Sequence, residues 1–521
     1  MKRIGLALPA LLIVAVAILL SASVAFADDG PMLVVGNGGT VRPMKATNIR
    51  MAAETVQAIA YSRFAEYRVD FRFENSSGAT QTVLLGFPFT ATDYGPADAV
   101  YIAPAGFRAW QDGRPLAAQL VHGHEGADAV DYYTHKAVFR PGDTTVTVGY
   151  LISPALDSGS QSLADTREYT TVPTPPAEYS GERVTQGSYD YTLHTAWYWD
   201  GNIDTAVLRW ALSPDFIGWG VEGAIANESA EDTSDGLPVF EGDVLYDRIQ
   251  STYTTPSPSV YQWTLQDFTP DLYDDNWSPY DIGLHFFAPP TDRWDADAPH
   301  HFASPLTRAS SSLTIKPYSY PAANLVDGDP STAWAEGAAG PGIGQWVDVT
   351  FPQTRALREL RILPGYAKRP ELFAKYNRPK TLRFDYSDGT SSTVTLADSP
   401  SLQRFPVSAT ASRVRVTILD VYAGSTRNET YLSEIDFGQA PAPTFADPGR
   451  LLASAKDLPS ADAVPVKRIA SPISPSPATT TAPAPAENPS PRPTAPANPL
   501  GLALLGGTLL GVGVVFWKSV P

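Results

Sequence analysis

The residues best suited to chemistry lie in Asn324-Leu-Val-Asp-Gly-Asp-Pro-Ser-Thr-Ala-Trp334. Calcium takes about six to eight hard oxygens in a flexible geometry, and a tight loop supplies several if a glycine lets the backbone curl. Asp327, Asp329 and Thr332 offer side-chain oxygens, Gly328 permits the bend, and the Asn324 carbonyl can join them. Glu434, with the Ser433 carbonyl, can close such a site from a later strand. Carboxylates crowded in this way repel one another without a cation, so occupancy would stabilise the fold. The alternative is an Asp-Gly turn whose acids are simply solvated.

A second candidate set is Tyr366, Lys368, Tyr376, Asn377 and Arg378, in a stretch that does not alternate and is rich in Gly and Pro. Such a stretch reads as loops at one end of a sandwich, where binding residues gather. Aromatic faces stack on sugar rings, and Asn and Arg make directional bonds to hydroxyls, so the set is suited to a glycan. Tyr422 and Arg427, in a further loop, extend it. The same residues could equally form ordinary surface loops. Trp334 and Trp346 read as core.

Catalytic signals are weak. His122-Gly-His124-Glu125, with His135 nearby, could bind a transition metal, because residues two apart on a strand point the same way. Gly123 and Gly126 argue for a loop instead. Asp271, Asp274, Asp275 and Asn276 could make a second calcium site, or a solvated acidic loop. No Gly-x-Ser-x-Gly elbow or phosphate-cradling loop accompanies them.

These residues need strands to position them. Tyr67, Val69, Phe71 and Phe73 alternate with Glu66, Arg68, Asp70 and Arg72, the period of a half-buried strand. Asn75-Ser-Ser-Gly78 turns the chain into the more apolar Thr82 to Phe87, and Val146, Val148 and Tyr150 repeat the pattern. Residues 155–188 lack a clear period and are expected to join two sandwiches, 28–155 and 156–300. Tyr189, Tyr191, Trp197, Tyr198, Trp199 and Trp210 are read as core and cross-strand packing, with a sugar-stacking platform as the sharper alternative. Alternation resumes at Trp346 to Phe351, at Leu382, Phe384 and Tyr386, and at Val414, Val416 and Ile418. Ser387-Asp388-Gly389 makes a turn between strands. These are strands of a jelly roll spanning 301–440.

Composition agrees with an all-β chain: 39 Gly, 48 Pro and 11% aromatic residues against 18% charged. A net charge of −17 argues against nucleic acid and anionic lipid surfaces as partners. The absence of cysteine excludes disulfides, zinc–thiolate sites and cysteine nucleophiles. Met1-Lys2-Arg3, an apolar run and Ala25-Phe26-Ala27 read as a signal peptide over 1–27, leaving Asp28 as the first mature residue. Leu500 to Trp517 carries no charge and is followed by Lys518, so 500–518 reads as a transmembrane anchor. Gly507 and Gly511 would let two such helices approach closely. Between them and the jelly roll, 441–499 reads as a stalk, with ten prolines in 471–499 favouring polyproline II. At about 3.1 Å per residue, this last stretch would extend roughly 90 Å.

Asn324 to Trp334, Gly342-Ile-Gly-Gln-Trp346, Gly365-Tyr-Ala-Lys368, Tyr376-Asn-Arg-Pro-Lys380 and Val416 to Phe437 together resemble a discoidin, or coagulation-factor type C, domain of the galactose-binding-like fold. More narrowly, they resemble the glycan-binding domain associated with secreted NAD glycohydrolases. The resemblance implies a calcium brace stapling the start of the module to its end. It implies binding and carries no glycohydrolase activity, because the related domain is not the catalytic one. Gly39 to Met51, Val69 to Asn75 and Leu84 to Pro88 resemble an uncharacterised family of bacterial secreted β-domains.

The whole is expected to be an all-β protein of tandem β-sandwiches and a galactose-binding-like jelly roll, exported and anchored at the cell surface. It is expected to bind a glycan or glycosylated ligand without catalysis. A structural or adhesive protein, or a hydrolase with an unrecognised site in 31–300, are the alternatives.

Overall fold

The computed structural model describes residues 30–35, 40–44, 48–89, 104–125, 128–156, 161–162, 174–175, 183–193, 198–226, 250–257, 259–268, 281–289 and 305–456. The expected signal peptide, the part of the stalk beyond residue 456, the expected anchor at 500–518 and the Asp271–Asn276 acids lie outside these residues. Among the described residues no helix is long and apolar enough to cross a membrane.

Strands dominate, as the alternation requires. Tyr67, Val69, Phe71 and Phe73 are all buried in the strand Ala65–Asn75, and Val146, Val148 and Tyr150 are buried opposite them in Gly142–Ile152. Each such side chain removed from water stabilises the fold by about 1.5–3 kcal/mol.

The expected boundary near 155 does not separate two sandwiches. One eight-stranded sheet runs Gln250–Ser257, Val260–Phe268, Ile203–Leu212, Ile49–Ala60, Ala65–Asn75, Gly142–Ile152, Ala105–Gln111 and Arg114–Leu116. Its middle is a parallel pairing of Ile49–Ala60 with Ile203–Leu212, which sews the two segments together. Both lie over one hydrophobic core that reaches from Ile49 to Phe286. Ile49–Ala60 was hard to read because, with both faces covered, it has no polar face to alternate. Its buried Glu54 accepts a hydrogen bond from the Tyr191 hydroxyl at 2.8 Å. A closed barrel (Gly30–Val35, Thr40–Pro43, Ala118–Glu125, Asp128–Phe139, Gln81–Phe89) and a smaller sheet centred on Arg183–Thr192 and Asp281–Ala288 complete this half. Tyr189, Tyr191, Trp199 and Trp210 are buried in its core, so they form no sugar platform.

Residues 305–438 build the expected jelly roll. Its main sheet runs Trp334–Ala335, Tyr431–Gly438, Trp346–Pro364, Gln403–Tyr422, Arg378–Tyr386 and Ser391–Thr395, with Leu306–Ala309 beside Trp346–Pro364. Val347, Val349, Phe351, Leu382, Phe384, Tyr386, Val414, Val416 and Ile418 all face the core, as does Trp334. Trp346 does not; it lies half-buried with the Arg415 guanidinium 3.8 Å from its ring centre. The two longest strands pair with breaks in register between Thr350 and Arg355 and between Leu357 and Glu359. Such irregularities bend a strand.

The module does not hang free. Ile59, Tyr61, Phe64 and Leu151 of the first half pack with Leu363, Ala367, Leu402 and Ala442. Beside them Arg361, with none of its side chain exposed, bonds Glu359 at 2.7 Å, Asp436 at 2.6 Å and Asp215 of the first half at 2.9 Å. Asp215 also accepts the Gln439 N–H at 2.8 Å, and Ser62 donates to Asp436 at 2.8 Å.

The stalk starts later than expected. Residues 441–456 run back over the first half and end in a helix, Pro448–Lys456. The Gln57 side chain bonds both the N–H and the carbonyl of Ala446, at 2.7 and 3.0 Å, as a neighbouring strand would. Leu451 and Ala455 bury against Val207, and Gln266 donates to the Ala455 carbonyl at 2.7 Å. The Pro-rich composition does not begin until about residue 471, so the folded strap carried no stalk signature of its own.

Candidate functional site

The Asn324–Trp334 loop begins in a short 3-10 turn, Ala322–Leu325, and folds on its own acids. Asp327 accepts the Asp329 N–H at 2.9 Å, and Asp329 accepts the N–H and hydroxyl of Ser331 at 3.0 and 2.8 Å. The Gly328 N–H donates to Glu434 at 3.1 Å, bringing the last strand to the loop. Gly328 has φ +78°, and a Cβ there would meet Arg63 of the first half at 2.4 Å, so glycine serves both the bend and the domain contact.

Oxygens outnumber protons here. The Thr332 hydroxyl has one proton, yet lies 2.9 Å from Asp327 Oδ2, 3.1 Å from the Asp329 carbonyl and 3.4 Å from the Asn324 carbonyl. Burial, then repulsion from Asp327 and Asp436, pushes the Glu434 carboxyl well above the usual carboxylate range. Asn324, Asp327, Asp329, Thr332 and Glu434 are thus neighbours in the fold, linked through Gly328 and the Thr332 hydroxyl. The Ser433 hydroxyl accepts the Ala367 N–H at 3.1 Å; the atom expected at the loop is its carbonyl. Among the described residues no cluster of three or more Asp, Glu or His side chains is arranged to hold a metal. Hydroxyl and carbonyl oxygens would therefore have to supply much of any coordination.

The second set divides. Tyr366 and Tyr376 meet in an aromatic cluster with two residues the sequence reading passed over, Tyr320 and Tyr431. Tyr366 stacks on Tyr431 with centroids 5.1 Å apart, Tyr376 lies 4.4 Å from Tyr431, and Tyr320 meets Tyr366 edge-on at 5.7 Å. Tyr431 is buried while the other three are half-buried. Burial pushes the Tyr366 and Tyr431 hydroxyls up. Tyr320 ends a short hairpin and Tyr431 heads the last strand, so only the fold joins them to Tyr366.

Asn377, Arg378 and Tyr422 turn inward to structural work. The Asn377 side chain donates to the Asn428 carbonyl at 2.6 Å and accepts the Gly424 N–H at 2.7 Å. Arg378 grips Asp398 with both arms, at 2.5 and 2.6 Å, over the Phe373 ring. The Tyr422 hydroxyl donates to the Leu396 carbonyl at 2.9 Å. These groups hold the loops that carry the tyrosines. Polar type alone cannot distinguish a loop staple from a ligand contact.

The loop after Gly365 and its helix Pro370–Lys375 are pinned to the first half. The Gly106 N–H donates to the Ala367 carbonyl at 2.7 Å, and the Leu120 N–H donates to Glu371 at 3.0 Å. The Tyr133 hydroxyl sits 3.0 Å from the Lys368 carbonyl. Lys368 is thereby placed at the seam between the halves.

His122 and His135 are not brought together. His122 is exposed and pairs with Asp131, whereas His135 is buried opposite Ala118, four residues further along the ladder. That separation is about 13 Å at 3.3 Å per residue. The side chains of His124 and Glu125 lie outside the described residues.

The family model for the NAD glycohydrolase translocation F5/8 type C domain matches residues 303–438. This segment is similar to that family. No curated protein matches the chain. Among solved structures, the family 32 carbohydrate-binding module of NanJ from C. perfringens, in complex with galactose, is 16% identical. That match covers 26% of this chain and 92% of that one, with a TM-score of 0.21. A pectin-binding carbohydrate-binding module is 17% identical over 27% of this chain and 93% of its own, with a TM-score of 0.20. A protein from Legionella pneumophila named for nutrient binding is 15% identical over 50% of this chain and 71% of its own, with a TM-score of 0.32.

Proposed function

We propose that this chain is a non-catalytic carbohydrate-binding protein, exported and tethered at the cell surface, whose F5/8 type C domain carries the ligand. The observation behind this is the half-buried Tyr320–Tyr366–Tyr376 cluster at the loop end of that domain, backed by buried Tyr431. Tyrosine faces there can stack against a sugar ring. In this proposal calcium is a brace: held by Asn324, Asp327, Asp329, Thr332, Glu434 and the Ser433 carbonyl, it would fasten the first loop of the module to its last strand. The leader-like 1–27 and the uncharged run 500–517 support export and tethering.

The test is glycan-array binding by the full chain, with Tyr376→Ala beside it. Binding that Tyr376→Ala weakens tenfold or more supports the proposal; an array on which nothing binds removes it. The inward turn of Asn377, Arg378 and Tyr422 favours a rival, a structural or adhesive protein in which the module only packs against the first half. The empty array would point to that rival.

A further inference from the structure

The tyrosine face lies in a basic neighbourhood within a strongly acidic chain. The whole sequence carries a net charge of −17, yet residues 366–378 hold Lys368, Arg369, Lys375 and Arg378 against Glu371 alone. Arg378 is neutralised by Asp398, and Glu371 is occupied by the Leu120 N–H. Arg369 and Lys375 make no ion pair among the described residues. Lys375 places its ammonium 5.4 Å over the Tyr376 ring, and the Arg369 charge reaches the Tyr366 hydroxyl, opposing the upward push of burial. Lys316 stands exposed at the tip of the hairpin that delivers Tyr320. An opposing charge, Glu429, acts on Tyr431, and Arg427 lies two residues before it.

Lys375 matters most, because its ammonium lies over the Tyr376 ring. A sugar stacking on that side of the ring must displace the ammonium and lose the cation–π contact. A neutral sugar returns nothing to the displaced charge. A sugar bearing a carboxylate or sulfate returns a counter-ion within reach of Lys375 and Arg369.

We propose that the ligand of this face is an acidic glycan, bearing a carboxylate or sulfate, with Lys375 and Arg369 as its specificity-determining residues. This rests on the glycan-binding reading above and narrows its ligand class.

The test uses the full chain on an array that sets uronate-, sialate- and sulfate-bearing glycans beside neutral galactans and chitooligosaccharides. Acidic glycans should bind at least tenfold more tightly than neutral ones. Lys375→Glu and Arg369→Glu should each remove most of that preference by weakening acidic-glycan binding. A salt titration of the unaltered protein gives a second readout that no folding defect can imitate. Raising ionic strength from about 0.1 M to about 1 M shortens the screening length from roughly 10 Å to roughly 3 Å and should weaken acidic-glycan binding about tenfold. Neutral glycans bound as well as acidic ones, with no salt dependence, would overturn the charge inference and leave glycan binding standing. No binding to any glycan would overturn both.

Discussion

Arg361 offers the sharpest test of how the two halves are joined. Its guanidinium is wholly buried and bonds Glu359, Asp436 and Asp215, while Arg404 holds the other oxygen of Glu359 at 3.0 Å. Arg361→Ala leaves these acids under-compensated and opens a cavity. Removing one partner of a buried pair costs about 3–5 kcal/mol. Asp215→Ala is milder, because Arg361 keeps Glu359, Asp436 and the Ala440 carbonyl. It forfeits one charged hydrogen bond and strands the Gln439 N–H, about 1.5–3 kcal/mol. The two residues touch, so the double variant should fall short of the sum by roughly 0.5–3 kcal/mol. Guanidinium unfolding followed by tryptophan fluorescence reads both halves, since Trp199, Trp210 and Trp263 lie in the first core and Trp334 in the second. An Arg361→Ala cost under about 1 kcal/mol, or strict additivity, would refute the view that this network is a joint rather than a surface ornament.

Other expectations follow from the same geometry. If calcium braces the loop, the melting temperature should rise with calcium and fall with chelator; at one hundred times the dissociation constant the gain is about 2.7 kcal/mol. Asp327→Ala should erase the difference, and an identical melt with and without calcium removes the metal. Burial raises the Glu359 carboxyl, but hydrogen bonds from Arg361, Arg404 and the Ala442 N–H outweigh it and hold the group below its usual range. Its contribution is therefore present above about pH 4.3, the unfolded value, and lost as pH falls through the lower folded value. Glu359→Gln should flatten the acid limb of a stability–pH curve; an unchanged limb would show that Glu359 does not set it. Leu451→Asp should release the Pro448–Lys456 helix, seen as faster amide exchange there with the sheet beneath still protected. Unaltered protection of the helix would mean that Leu451 does not hold it.

The jelly roll was legible because each strand keeps one dry face: Val347, Val349 and Phe351 announce themselves by alternation. The first half was legible as strands but not as one body. Its central strand, Ile49–Ala60, is dry on both sides, and the parallel partner lies far off in sequence. The oxygen-rich loop was legible because Asn324, Asp327, Asp329 and Thr332 are local in sequence. Arg361 and Asp215 gave no signal, since a charged residue in a strand reads as solvated until the partner domain closes over it. The tyrosine face was half legible: Tyr366 and Tyr376 share a loop, while Tyr320 and Tyr431 come from elements that only packing brings near.

The Pro448–Lys456 helix has a mechanical consequence. Tension applied along the chain beyond Lys456 is delivered first to this helix, lying on Ile203–Leu212 and Ile49–Ala60, the strands at the middle of the largest sheet. A pull on a ligand held at the proposed tyrosine face would enter elsewhere, through the loop that rests on Gly106, Leu120 and Tyr133. Between these two points of attack lies the eight-stranded sheet, so a load passing through the protein can be borne by it, with the jelly roll spared from peeling strand by strand.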